Sequence, residues 1–318
     1  MITLQVTAQA PVRLDKYLLQ QFPQLGLGRL NKALRENKIK LNGKKQPFAT
    51  RIQEGDEIQL YFPAAWLSPG ELYEGLAFMA ARCAAAPVYE DAHILLVQKP
   101  AGLPVQAPSG QDSLLARALR YLYEQGCYTP GQSNFEPCLC HRLDTGTSGL
   151  VLLAKTAIGE QLITGLIRER RLQKQYLCVT FGRPSPTQAT LRAHLSKDSE
   201  KGVVRILPKA LPGTKPIETR YETLAVSGRL ALLQVDLITG RTHQIRAHLA
   251  SIGCPILGDS KYGNHAANRE MKLKYQALCA WKLQFPVCGQ PELAGVSGRA
   301  FYAEEPWYYR QILDGTLK

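Results

Sequence analysis

The sequence predicts an α+β protein in which a large domain follows a small one, and three observations carry that prediction. The chain has 318 residues, too many for one average domain and too few for three. Strand-like and helix-like segments mix along it without strict alternation, which argues against a doubly wound sheet. A basic N-terminal stretch is also set off from the rest by a break in composition. Hydrophobic residues make up 45% and charged residues 20%, a globular composition that excludes disordered and fibrous classes.

The small domain is expected over residues 1–62. Met1-Ile-Thr-Leu-Gln-Val alternates like a strand. Leu14, Tyr17 and Leu18 recur at helical spacing, a second helix runs from Leu27 to about Asn37, and Ile39-Lys-Leu enters an Asn-Gly turn. Residues 54–62 close the unit with an alternating strand. Between residues 12 and 62 ten Lys/Arg stand against five acids, a net charge of +5. Residues 63–87, with Pro at both ends, a Ser-Pro-Gly and an alanine-rich patch, read as a partly helical linker.

The large domain is expected over 88–318. Ile94 to Lys99 is a buried strand ended by Pro100, and Leu114 to Tyr123 an amphipathic helix. The polar loop His141 to Gly149 precedes the strand Leu150-Val-Leu-Leu-Ala. Thr156 caps a helix through Ile163, Leu166 and Ile167 into a basic end at Arg168, Arg170, Arg171 and Lys174. Strands follow at Tyr176 to Phe181 and Leu230 to Ile238. A helix from His243 to Ile252 is ended by Gly253 and turns Ile245, Leu249 and Ile252 toward the core.

Lys+Arg outnumber Asp+Glu by 39 to 26, a formal charge of +13, which points to a polyanionic partner. The eight cysteines lack a repeated CxxC spacing and read as buried thiols of a reducing compartment. Cys138, Cys140 and His141 lack zinc spacing, because only one residue separates the cysteines and no second half-site follows, so no metal is expected. The N-terminus lacks the pattern of a signal peptide, and the nearest apolar run, Gly75 to Val88, is short and interrupted by Arg82. A cytoplasmic monomer with no membrane contact is the expectation.

Three segments carry chemistry. In His141-Arg-Leu-Asp-Thr-Gly-Thr-Ser-Gly149 the carboxylate of Asp144 is either kept ionised and aimed by loop hydrogen bonds or engaged in an Asx-type turn that only satisfies loop amides. In Thr239-Gly-Arg-Thr-His-Gln-Ile-Arg246, cations meet the amides of a helix start, an anion site in which His243 and Arg246 share a face; a structural Arg ion pair explains the segment equally well. In Lys174-Gln-Tyr176 a tyrosine starts a strand, as a ring to stack on a base or as core packing.

In order and content these segments resemble the pseudouridine synthases that modify ribosomal and transfer RNA, the branch represented by RluA, RluC and RluD. Residues 88–103, Val-Tyr-Glu-Asp-Ala-His-Ile-Leu-Leu-Val-Gln-Lys-Pro-Ala-Gly-Leu, look like the opening of that catalytic domain. His141 to Gly149 looks like its nucleophile loop, Lys174-Gln-Tyr its tyrosine motif, and Thr239 to Leu249, followed by Pro255-Ile-Leu-Gly-Asp, its arginine segment. The resemblance implies a mixed, mainly antiparallel central sheet with flanking helices. It also implies a small αL RNA-binding domain ahead of it, matched by Arg13-Leu-Asp-Lys-Tyr-Leu, Arg29 and Ile39-Lys-Leu-Asn-Gly-Lys.

Position by position, the resemblance makes Asp144 the catalytic carboxylate, Arg246 its partner, and Tyr176 the ring that packs on uracil and a candidate acceptor for the C5 proton. Arg142 becomes the arginine that enters the RNA stack. Arg241 and Lys215 suit phosphate contact, and Arg13, Lys16, Arg29 and Lys44 RNA contact by the small domain. No cofactor is implied. The expected substrate is large-subunit ribosomal RNA, with tRNA as the alternative. A non-catalytic RNA-binding or assembly factor is the competing class, disfavoured because a carboxylate repels phosphate. A glycoside hydrolase would need a placed water and a second acid.

Overall fold

A computed structural model describes residues 2–7, 11–22, 33–61, 76–131, 133–198 and 202–318. The chain divides into two compact units, Met1–Ala84 with Ala107–Asn134, and Ala85–Gln106 with Phe135–Lys318.

In the first unit, β1 (Ile2–Gln5), β5 (Glu57–Leu60) and β3 (Ile39–Leu41) form an antiparallel sheet in that order, and β2 (Val12–Arg13) pairs with β4 (Arg51–Ile52). Helix α1 (Leu14–Gln21) buries Leu14, Tyr17 and Leu18, three residues on one helical face. They share a core with Ile39, Ile52, Ile58 and Leu60. Asn42 and Gly43 both take positive φ, 49° and 76°, the backbone that a two-residue hairpin turn needs. Of the helix expected from Leu27, residues 33–35 are helical, and left-handed Asn37 (φ 58°) follows; its earlier part and Arg29 lie outside the described residues.

Ser113 caps α2 (Leu114–Glu124), its hydroxyl accepting from the Ala116 amide at 3.2 Å. A 3-10 turn, Ala77–Ala80, packs against it. Phe78 meets the rings of Tyr123 and Tyr128 at 5.8 and 6.1 Å, and Arg120 donates to the Ala81 carbonyl at 2.8 Å. These contacts group residues 107–134 with the first unit, whereas the sequence reading placed them inside 88–318. Most of the expected linker, residues 63–75, lies outside the described residues.

The second unit is built on an eleven-stranded sheet. Its strands are β6 (Pro87–Glu90), β7 (Ile94–Lys99), β8 (Cys138–Leu139), β9 (Ser148–Ala154), β10 (Gln173–Phe181), β11 (Gln188–Asp198), β12 (Val203–Leu207), β13 (Lys215–Ser227), β14 (Leu230–Leu237), β15 (Leu278–Gln284) and β16 (Ala300–Tyr302). They run in the order β12-β11-β13-β14-β10-β15-β9-β7-β6, with β16 beside β15 and β8 beside β9. The β9–β15 pair is parallel, and the other pairs are antiparallel. This is the mixed, mainly antiparallel α+β architecture expected. Central strands β7, β9 and β14 are buried almost throughout, as strands covered on both faces must be. Thr156 caps α3 (Ala157–Arg168), and Ile163 and Leu166 of that helix join Ile94, Leu96, Leu150 and Leu152 in the core. Helices α4 (Gln244–Ser251), α5 (His265–Glu270) and α6 (Tyr308–Leu313) complete the unit.

This parallel pairing matters for the site, because it ties the polar loop before β9 to β15. Gly149 sits opposite Ala280 with φ +115°, and a Cβ there would lie 2.3 Å from the Ala280 carbonyl oxygen. Gly149→Ala should therefore destabilise the fold by more than the ~1–3 kcal/mol of a forced backbone conformation, measured by urea unfolding; an unchanged midpoint would show that the loop does not depend on this approach.

Four sequence expectations need correction. Tyr176 does not start its strand, since β10 begins three residues earlier at Gln173. Cys83 and Cys127 are exposed and Cys138, Cys140 and Cys288 half-buried, leaving Cys178, Cys254 and Cys279 as the buried thiols. Ile252 is exposed, being past the end of α4. And α4 has no solvent face over 244–249, where Gln244, Arg246 and His248 are as buried as Ile245 and Leu249. Its polar side chains serve buried partners instead: His248 Nδ1 meets the Thr219 hydroxyl at 3.0 Å, and Gln244 Nε2 donates to the Glu218 carbonyl and the Thr219 hydroxyl, both at 3.0 Å. Among the described residues no helix is long and apolar enough to cross a membrane.

Candidate active site

Segments far apart in sequence line one cleft of about 1090 Å³: the loop 141–147 ahead of β9, the start of β10, and the run 237–246 from the end of β14 into α4. Arg142, Arg168, Arg170 and Lys174 line it from the loop, the end of α3 and β10. Lys197, Arg220, Arg241 and Arg246 do so from β11, β13 and the α4 segment, making eight cations against Asp144 and Asp236 among the described residues. Such an excess of positive charge favours a polyanion over a neutral small molecule.

At this cleft Asp144 accepts from Arg246 NH1 through Oδ2 at 2.7 Å. Among the described residues no loop amide donates to its carboxylate, and Oδ1 carries no hydrogen bond. The Thr147 amide instead donates to the Asp144 backbone carbonyl at 3.0 Å. The loop turn thus closes through the backbone, and the side chain is left for another task. This decides against the Asx-type turn and also against loop donors as the carboxylate's support.

That support is an ion-pair relay. Arg246 grips Asp259 with two hydrogen bonds, Nε to Oδ2 at 2.6 Å and NH2 to Oδ1 at 2.9 Å, while NH1 reaches Asp144. Side-chain exposure falls along the relay from 25% at Asp144 through 5% at Arg246 to 0% at Asp259. Asp259 also accepts the Lys261 and Tyr262 amides at 2.8 and 3.0 Å. Burial opposes its charge, but Arg246 and these amides outweigh it and hold its pKa below the ordinary value. Burial likewise opposes the charge of Arg246, and Asp259 and then Asp144 raise its pKa above normal. The guanidinium is a fixed cation, aimed at Asp144 by a second carboxylate it cannot leave.

Two further groups hold the loop. Lys99, wholly buried at the end of β7, donates to the carbonyls of Pro100 (3.1 Å), Leu103 (2.6 Å) and Thr145 (2.9 Å). Burial pulls its pKa down to about 8, with Asp144 acting in the opposite sense. His141 accepts the Leu152 amide through Nε2 at 3.2 Å, and burial followed by the charge of Lys174 pushes it down to about 3, so its ring is neutral. Tyr176 is 6% exposed and lines the cleft. Burial, then the charge of Asp144, raises its pKa well above 10. It stands in the site as a neutral phenol.

The neutral histidines make stability pH-dependent. His248 is pushed by burial to about 4 and His141 to about 3, from an ordinary value of 6.5. Below pH 6.5 the unfolded chain binds protons at both that the folded chain refuses, so stability falls as pH falls, by ~1.4 kcal/mol per pH unit for each. Urea midpoints at pH 7 and pH 5 should show the loss, and His248→Gln should make it shallower; a flat profile would contradict the neutral assignment.

Of the residues singled out in the sequence, Asp144, Tyr176, Arg246, Arg142 and Arg241 meet at the cleft. Lys215 does not line it and lies exposed at the start of β13. Arg13, Lys16 and Lys44 are exposed on the first unit, with Arg13 engaged by Asp15 through two bonds of 3.1 and 2.8 Å. The Arg241 amide donates to Gln244 Oε1 at 3.1 Å, so it is already occupied and not open to an anion. Sequence reasoning assigned no role to Lys99 or Asp259, although a lysine closing a buried apolar strand and an acid closing Pro255-Ile-Leu-Gly-Asp were visible signals.

Comparison with known proteins identifies the family. A family model described as RNA pseudouridylate synthase matches residues 93–251. A ribosomal large subunit pseudouridine synthase C of Rickettsia bellii is 36% identical over 271 residues, covering 81% of this chain and 86% of that protein. An RNA pseudouridine synthase of Mycoplasma pneumoniae is 32% identical over 306 residues, covering 93% of each. Among solved structures, human RNA pseudouridylate synthase domain containing 4 superposes with a TM-score of 0.57 at 23% identity, over 76% of this chain and 95% of that one, a likeness of fold. The cleft, the sheet that carries it and these relatives lead to one conclusion: the chain belongs to the RNA pseudouridine synthase family, isomerases that act on RNA.

Proposed function

We propose that the chain isomerises uridine to pseudouridine in large-subunit ribosomal RNA, with Asp144 as the catalytic carboxylate. The observation that carries this is the relay Asp144–Arg246–Asp259, which aims one ionic oxygen into a basic cleft and leaves Oδ1 without a hydrogen bond among the described residues. A binding protein gains nothing from an acid so placed.

The target uridine leaves the stack at a cost of a few kcal/mol, and exposed Arg142 at the cleft takes the vacated space. Asp144 Oδ1 attacks C1′, or removes the C2′ proton in a glycal route, as the N1–C1′ bond breaks. The freed uracil turns against the Tyr176 ring, and C5 bonds to C1′ as the Asp144–C1′ bond breaks or, in the glycal route, as the proton returns to C2′; the C5 proton is then lost and N1 regains one. Because Tyr176 is a neutral phenol, the C5 proton falls to Asp144 in this scheme. Asp259 is committed to Arg246 and fully buried, so it cannot place a water for hydrolysis. Arg241 contacts phosphate beside the target. The unit 1–62 acts as an αL RNA-binding domain through Arg13, Lys16, Arg29 and Lys44, with Lys215 as an outlying phosphate contact.

The ribosomal target rests on the name of the Rickettsia bellii relative, a ribosomal large subunit pseudouridine synthase, and on the basic small domain. The protein should be incubated with unmodified large-subunit ribosomal RNA and, separately, unmodified tRNA, and pseudouridine mapped in each. Discrete new sites in the ribosomal RNA are expected. Modification of tRNA alone would move the assignment to tRNA.

A further inference from the structure

Beside the relay stands a second polar chain that the reaction scheme does not use. The Val204 amide donates to the Tyr262 hydroxyl oxygen at 2.7 Å, and that hydroxyl lies 2.9 Å from His243 Nδ1. The other ring nitrogen, Nε2, lies 3.9 Å from Asp144 Oδ2, the oxygen that Arg246 also holds. His243 precedes α4 in the left-handed region, φ 54°, a conformation glycine adopts without cost and other residues rarely do. The conformation swings an imidazole toward Asp144 while giving α4 no side-chain cap.

The Val204 donor at the Tyr262 oxygen and the Asp144 carboxylate facing Nε2 favour one arrangement of protons. The Tyr262 oxygen receives the Val204 N–H, so its own hydrogen is free to go to His243 Nδ1. Burial raises the Tyr262 pKa, so the phenol keeps that hydrogen. Asp144, Asp259, Arg246 and Lys261 all act on the His243 ring, yet burial is the largest influence and lowers its pKa. A neutral ring that accepts at Nδ1 must carry its hydrogen on Nε2, facing Asp144. At 3.9 Å this is too long for a hydrogen bond, and such contacts often tighten when substrate closes a site.

We infer that His243 is a positioning residue for Asp144: held by Tyr262 in its Nε2–H tautomer, it closes on Oδ2 when RNA fills the cleft, joins Arg246 on that oxygen and so leaves Oδ1 as the reacting oxygen. The inference rests on Asp144 being the catalytic carboxylate. Tyr262 ties the two supports together, because the Arg246 guanidinium also lies 5.4 Å from the centre of its ring.

The test compares His243→Ala, His243→Gln, Tyr262→Phe and the double variant His243→Ala/Tyr262→Phe with the full-length protein on unmodified large-subunit ribosomal RNA. The readings are kcat, KM and RNA affinity. His243→Ala should lower kcat by about 10²-fold, the size expected for a misplaced reacting group, with KM and RNA affinity nearly unchanged. His243→Gln, whose amide N–H can reach the same oxygen, should recover part of the loss. Tyr262→Phe should lower kcat too, and the double variant should be no slower than His243→Ala, because both changes break one chain. Wild-type kcat in His243→Ala, additive losses in the double variant, or a loss that appears only in RNA affinity would each overturn the inference. Asp144→Asn measured alongside separates the two readings: turnover in that variant defeats the role of Asp144, whereas an inactive Asp144→Asn with a fully active His243→Ala defeats only the role of His243.

Discussion

Asp144→Asn should abolish pseudouridine formation, lowering kcat by at least about 10⁴-fold, as removal of a group that makes the covalent or proton-transfer step does. The substitution keeps the size of the side chain and an oxygen that Arg246 NH1 can still reach, so the fold and the cleft should survive. RNA affinity should hold or rise, since one of the cleft's two acids is lost among eight cations. Pseudouridine content read by mapping, with affinity read by filter binding, separates these effects. Substantial remaining turnover would remove Asp144 from the chemistry.

Arg246→Met should damage both stability and activity, for a different reason. Asp259 would be left fully buried without its bidentate partner, and breaking a buried pair from one side costs about 3–5 kcal/mol. Asp144 would lose the donor that orients it, and kcat should fall by about 10²-fold or more. Arg246→Lys should rescue little, because a single ammonium cannot hold Asp259 with two bonds and reach Asp144 with a third. Adding Asp259→Asn to Arg246→Met removes the stranded charge while keeping an acceptor for the Lys261 and Tyr262 amides. Stability should partly return and activity should not. Urea unfolding and turnover of the three variants check this, and an Arg246→Met protein of normal stability would contradict the relay.

Much of this site was legible in the sequence, and the limits of that reading are physical. Periodicity located β7, β9, α2 and α3 because each buries a regular face or an unbroken apolar run. It misjudged α4, since a helix whose polar side chains Gln244, Arg246 and His248 are all buried looks amphipathic when it is not. The motif order brought Asp144, Tyr176 and Arg246 to attention. It could not show that Asp259 anchors Arg246, or that Lys99 holds the Thr145 carbonyl, because each contact joins two segments that only the folded chain brings together. Composition also could not reveal that Lys215 lies away from the cleft while Arg168, Arg170, Lys197 and Arg220 line it. The placements of Lys197, Lys215 and Arg220 depend on the register of β11, β13 and β14, which long antiparallel pairings set, and those of Arg168 and Arg170 on where α3 ends.

The central claim is that the cleft breaks N1–C1′ and joins C5 to C1′ in the same uridine, and the most direct test follows the C5 hydrogen. Large-subunit ribosomal RNA transcribed with tritium at uridine C5 should release tritium to water with time, in proportion to pseudouridine formed and with the RNA chain and its base content intact. Release of free uracil, or a full time course without tritium release from RNA that the protein binds, would contradict the account.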